Sequence, residues 1–174
     1  MNGFKDYLEK NGFSVLEIPV PSPSPKAEEF IDLCRKNECG RYGTNWGCPP
    51  ALGPISEIAE SLKSYSRAYL VRKRYELDVK DEDALREATE DISDFVRNAM
   101  NMIRKERKAV GMGDGGCKYC GICTYPDEEC RYPSQKMDSV SGYGLDMEGI
   151  LKGIGEEFVF EDNAVTFNSL ILVE

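Results

Sequence analysis

Cysteine is the residue type in this chain whose number and spacing can do chemistry: there are seven. Four of them, Cys117, Cys120, Cys123 and Cys130, follow the pattern C-x2-C-x2-C-x6-C. Three thiolates packed this closely can wrap one face of an iron–sulfur cubane, and a fourth from a nearby loop completes the set; bacterial ferredoxins open with the same run. Tetrahedral zinc more often takes two separated C-x2-C pairs, since a third cysteine two residues on is hard to bring to the same small ion. The spacing therefore points to a 4Fe-4S cluster on these four, with zinc as the alternative and ordinary buried thiols as the bland reading.

The remaining three, Cys34, Cys39 and Cys48, form a looser C-x4-C-x8-C set. Context strengthens it: Tyr42, the only tryptophan, Trp46, and three glycines lie between Cys39 and Cys48, and Pro49 follows Cys48 as proline follows the last ferredoxin cysteine. A second cluster held by three thiolates would leave one iron open to bind a substrate, and the chain would then be an enzyme. Glu38, Arg41, Tyr42 and Tyr119 are the nearest groups to position a ligand or move a proton there. In the bland reading Cys34 is a small core residue and the other two are incidental thiols. Cys130 could also serve the other cluster, as happens in two-cluster ferredoxins.

The rest of the composition narrows the field. There is no histidine, which removes Ser-His-Asp and Cys-His nucleophile pairs and two-histidine zinc protease sites. With 22 basic against 31 acidic side chains the formal charge is −9, the wrong sign for nonspecific nucleic-acid binding. No apolar run approaches a membrane span and the first residues do not resemble a secretory leader, so the expectation is a cytoplasmic protein that needs no disulfides. The partner expected is a redox protein or enzyme rather than a nucleic acid or membrane. The length of 174 residues suits one domain, 1–174, with cysteine-rich segments at about 34–50 and 111–133.

Helices and strands must position these segments. Phe4 and Leu8 predict a short first helix ending at Asn11-Gly12, followed by a strand over Phe13–Val20 and a stiff extended connector through Pro21, Pro23 and Pro25. Ala27, Phe30, Ile31 and Cys34 share one helix face, so Cys34 is expected to point inward; Ile55, Ile58, Ala59 and Leu62 share another. Arg67–Arg72 reads as a strand. A long helix is expected from near Asp81 to near Gly111, with its basic end, Arg104, Lys105, Arg107 and Lys108, complementing the dipole or docking an acidic electron carrier. From Gly111 to about Gly144 there is little periodicity, and a bound metal centre would supply the order. Gly111–Gly116 formally spells G-x-G-x-x-G, but it follows a helix and leads into cysteines, which excludes a dinucleotide fingerprint. Asp146 can cap a short helix, and Phe158–Phe160 with Val165–Leu172 reads as a closing hairpin. The fold class expected is α+β: a small mixed or antiparallel sheet packed with helices, plus an irregular cysteine-rich segment.

Cys39-x2-Tyr42-Gly43-x2-Trp46-x-Cys48-Pro49-Pro50, taken with Gly116-Cys117-x2-Cys120-x2-Cys123-x6-Cys130-Arg131-x-Pro133, resembles the cysteine-rich predicted metal-binding family filed as domain of unknown function 2284. The resemblance runs from about Ala27 to Ile154. It implies metal binding, of an iron–sulfur cluster, through the seven cysteines, and supplies no reaction. One stretch departs from the family pattern: the usual proline-serine-x-glutamate-alanine before a glycine is here Ser134–Val140.

Overall fold

The computed structural model describes residues 3–113 and 115–174; Met1, Asn2 and Asp114, the last in the middle of the G-x-G-x-x-G string, lie outside them. Its sheet contains strands β1 (Ser14–Ile18), β2 (Arg67–Glu76), β3 (Ala109–Gly113), β4 (Met137–Ser139) and β5 (Ala164–Val173) in the order β1-β2-β5-β3-β4. All neighbouring pairs are antiparallel except β3 and β4, which run parallel. The helices are α1 (Gly3–Lys10), α2 (Ala27–Arg35), α3 (Ile55–Leu62), α4 (Glu82–Ile103) and α5 (Met147–Gly153). The expected mixed α+β arrangement is what forms.

Both faces of the sheet are covered. Tyr69, Val71, Ile171 and Val173 pack with Phe4 and Leu8 of α1 and with Val96, Ala99 and Met100 of α4. The alternate residues Ala68, Leu70, Leu170 and Leu172 pack with Ile58 and Leu62 of α3 and Leu151 of α5. A strand buried on both faces has no polar side to show, which is why Ala68–Val71 and Leu170–Val173 read as unbroken apolar runs. Local signals set the helix ends: Asp81 Oδ1 accepts from the N–H groups of Asp83 (3.1 Å) and Ala84 (3.0 Å), and Asp146 Oδ1 from Gly149 (3.1 Å). The proline connector lies outside the helices and strands and is anchored by Ser24 N–H on Gly144 O (2.8 Å).

Three expectations are corrected. First, α4 stops at Ile103, well short of Gly111. Arg104 turns back instead, and its Nε and Nη2 donate to Ala109 O at 3.0 and 2.8 Å, so the four basic residues lie beyond the helix. Second, the supposedly irregular region begins and ends in strands, β3 and β4. The glycines of β3 hid it: a Cβ at Gly111 would meet Met100 and, at 2.9 Å, Met137 Sδ. Third, there is no terminal hairpin. Ala164–Phe167 pair with Lys73–Glu76 of β2, so that ladder is made without Phe158–Phe160, which stay outside the strands and exposed.

Candidate metal centre

The parallel pair β3–β4 builds the site. β3 runs out through Gly115 and Gly116 into Cys117, and the chain returns only at Met137, so the four-cysteine loop is an excursion from the edge of the sheet. The other cysteine segment comes from the end of α2 and lies along β4, where Ser139 N–H donates to Gly47 O (2.8 Å). The two segments meet backbone to backbone. A Cβ on Gly47 would fall 2.9 Å from Cys117 N, and Gly116, at φ +68°, leaves room for Cys48 Sγ directly over it. Asn45, buried, bridges them: its Nδ2 donates to Cys117 O (2.7 Å) while its Oδ1 accepts from Gly47 N–H (2.8 Å). Arg41 Nη1 donates to the same Cys117 O (3.1 Å).

Cys117, Cys120, Cys123 and Cys130 line one cavity in the returning loop. Thr124 Oγ1 donates to Glu129 O (2.8 Å) and folds the loop so that Cys130 comes back to the first three. Trp46 closes a wall from the other segment. Its backbone N–H points at Cys123 Sγ (3.4 Å), its indole N–H donates to Glu128 O (3.1 Å), and its ring meets Tyr125 edge-on at 4.8 Å. The Cys120 thiol is pushed up by desolvation; Arg131 opposes this and the other three cysteines add to it, which puts Cys120 within the field of all three. Among the described residues no three cysteine or carboxylate side chains converge as ligands of a single ion would. The four thiols that line this cavity are the donors it offers to a metal or a metal cluster.

Cys34, Cys39 and Cys48 also come together. Cys48 is 5% exposed, and its thiol is pushed up to about 12 by burial first and by Cys39 next, with Arg41 opposing and Cys34 and Asp138 adding. Cys34, half-buried as its helix face requires, is raised by burial against a hydrogen bond with Ser141, and Cys39 is exposed. Of the groups named as ligand-positioning candidates, Arg41 stands between the two segments on Cys117 O, Tyr42 is tied by its N–H to Asn37 Oδ1 (2.9 Å), and Glu38 is exposed. Tyr119 belongs to the other set, its ring edge-on to Tyr132 at 5.3 Å.

Residues 24–173 match the family described as predicted metal-binding protein (DUF2284). The chain belongs to this predicted metal-binding family. The match contains all seven cysteines and extends past Ile154 through β5. No curated protein and no solved structure matches the chain. Among the described residues, no helix is long and apolar enough to cross a membrane.

The stretch Ser134–Val140 contains β4 and meets the other cysteine segment where Ser139 N–H donates to Gly47 O. Asp138, 1% exposed, accepts from Tyr143 Oη (2.9 Å) and forms an ion pair with Lys136 Nζ (2.8 Å from Oδ1) that lies off the direction of a hydrogen bond. Lys136 also lines the four-cysteine cavity, so one buried carboxylate faces Cys48 on one side and anchors a cavity lysine on the other. Sequence reasoning missed Asn45, Lys136, Asp138 and Ser141. Asn45 falls at an unspecified position between Cys39 and Cys48 and the other three lie outside the cysteine motifs, so only their place beside the thiols marks them.

Proposed function

We propose that this chain is an iron–sulfur protein in which Cys117, Cys120, Cys123 and Cys130 hold a 4Fe-4S cluster that exchanges single electrons with a protein partner. The observation that carries the reading is a cavity lined by four thiols and no carboxylate, walled by a tryptophan whose backbone N–H points at one of the sulfurs. Such a cluster, when bound, supplies a one-electron couple whose potential follows hydrogen bonds to sulfur, local charge and access of water. Trp46 N–H on Cys123 Sγ favours the more negative, reduced state, and the cationic Lys118, Arg131 and Lys136 of the lining act in the same direction. The rings of Trp46 and Tyr125 shield that side from water.

A second reading adds a cluster on Cys34, Cys39 and Cys48 with one iron open to a substrate. It is favoured by the mutual influence of these thiols and by the seat of Cys48 Sγ over Gly116. In the zinc alternative the same cysteines staple an interaction module. Anaerobic purification followed by an absorbance spectrum separates these readings. Broad visible absorption bleached by one-electron reduction supports the cluster; colourless protein containing zinc refutes it. Replacing Cys39 and Cys48 by serine halves the iron if two clusters are present and leaves it unchanged if there is one.

A further inference from the structure

The basic run Arg104, Lys105, Arg107 and Lys108 has two readings in the sequence, helix-dipole complementation and docking, and the fold weakens the first. No basic residue lies in the last turn of α4, which ends at Ile103. Arg104 is spent on Ala109 O and Ser134 O. Lys105, Arg107 and Lys108 are exposed in the turn that follows, with only Glu106 among them. Arg107 and Lys108 reach toward Glu174, by a 3.0 Å hydrogen bond to its carbonyl and a 3.3 Å ion pair, which leaves Lys105 without an ion pair among the described residues.

This turn shares a surface depression with Pro133 and Ser134, which directly follow the four-cysteine loop. The next residue back, Tyr132, is 50% exposed; its ring partner Tyr119 is 46% exposed and covers the Arg97 guanidinium at 5.2 Å. Ile122, between Cys120 and Cys123, is 84% exposed. An apolar side chain so exposed contributes nothing to the core, and Ile122 joins Tyr119 and Tyr132 as the exposed large apolar side chains of this loop. The loop also carries the exposed carboxylates Asp127, Glu128 and Glu129, and Glu128 O accepts from the Trp46 indole N–H. On a chain of net charge −9, an apolar rim beside an exposed basic turn runs against the average surface.

We propose that Tyr119, Ile122 and Tyr132, flanked by Lys105, Arg107 and Arg131, dock an acidic one-electron carrier protein. In its reduced form the carrier passes one electron to the oxidised cluster; the carrier is oxidised by one, the cluster is reduced by one, and no bond or proton changes place. The electron step rests on the cluster reading, whereas the docking does not.

The test uses flavodoxin as the acidic carrier, titrated into the purified protein by calorimetry, with basic cytochrome c as the control. Flavodoxin is expected to bind with an affinity that falls as salt rises. Reversal of one rim charge by Lys105→Glu should weaken it about fivefold. Loss of the apolar tip by Ile122→Ser should weaken it about tenfold. Both residues are exposed, so both variants keep the wild-type melting temperature and metal content. No flavodoxin binding up to about 1 mM, a range in which even weak carrier complexes register, overturns the proposal. So does salt-insensitive binding, wild-type affinity in both variants, or tighter binding of cytochrome c. A protein that binds flavodoxin as expected but contains no iron or sulfide defeats the cluster reading alone. One that holds a cluster and ignores flavodoxin defeats the docking alone.

Discussion

Replacing Gly116 by alanine tests how the two cysteine segments are joined, and Gly121 provides its control. Both residues are left-handed, at φ +68° and +71°. Forcing alanine into that region costs about 1 to 2 kcal/mol at either position. At Gly121 nothing lies within 4 Å of the added Cβ, so that is the whole effect. At Gly116 the Cβ would collide with Cys48 Sγ and stand 3.1 Å from Gly47 O, both belonging to the other segment. Overpacking of that kind adds about 1 to 3 kcal/mol, for a total near 3 or 4. Urea denaturation of the reduced, metal-free chain measures both, and metal content after reconstitution reports whether the segments still meet. Gly116→Ala should lose about 2 kcal/mol more than Gly121→Ala and take up less metal. Equal losses in the two variants would mean that Cys48 is not packed on Gly116, and the joined site would be wrong.

Burial holds the Cys48 thiol up to about 12 from an ordinary 9.0, with Cys39 next in effect, so folding favours the protonated form. That stability is fully present below pH 9 and is lost as pH climbs toward 12; in metal-free protein the alkaline slope should shrink in Cys48→Ala, and an unchanged slope in urea titrations counts against the burial. Asn45→Leu leaves Gly47 N–H without its partner and Cys117 O with Arg41 alone, which should cost about 1 to 3 kcal/mol and lower metal retention together. A variant with full stability and metal content would show that the bridge is idle. Arg104→Met removes both hydrogen bonds to Ala109 O and should cost about 2 kcal/mol by denaturation, while a neutral result would place the end of α4 elsewhere.

Elements whose apolar period was clean were legible in the sequence. Phe4 and Leu8 marked α1, the stripe through Ile92 and Val96 marked α4, and Asp146 marked the start of α5. β3 was not legible, because close packing of Met100 and Met137 demands glycine where a strand would otherwise show branched side chains. The end of α4 was obscured because Arg104–Lys108 look like residues placed to complement a dipole, whereas Arg104 is hydrogen-bonding a strand carbonyl. The four-cysteine set was legible from spacing, since local chain geometry alone brings Cys117, Cys120 and Cys123 together. The contact of that set with Cys48 was not, because it depends on a long-range meeting of Gly47 and Gly116 at the sheet edge. Asp138 was hidden for the same reason: its burial comes from β4 lying parallel to β3 and from Tyr143 folding back onto it.

The central claim is that the four thiols around one cavity hold a cluster, and counting iron and inorganic sulfide per chain after anaerobic purification tests it most directly. At least about four of each are expected, lost when Cys120 and Cys123 are replaced by serine in a chain that still folds. Stoichiometric zinc with neither iron nor sulfide would contradict it.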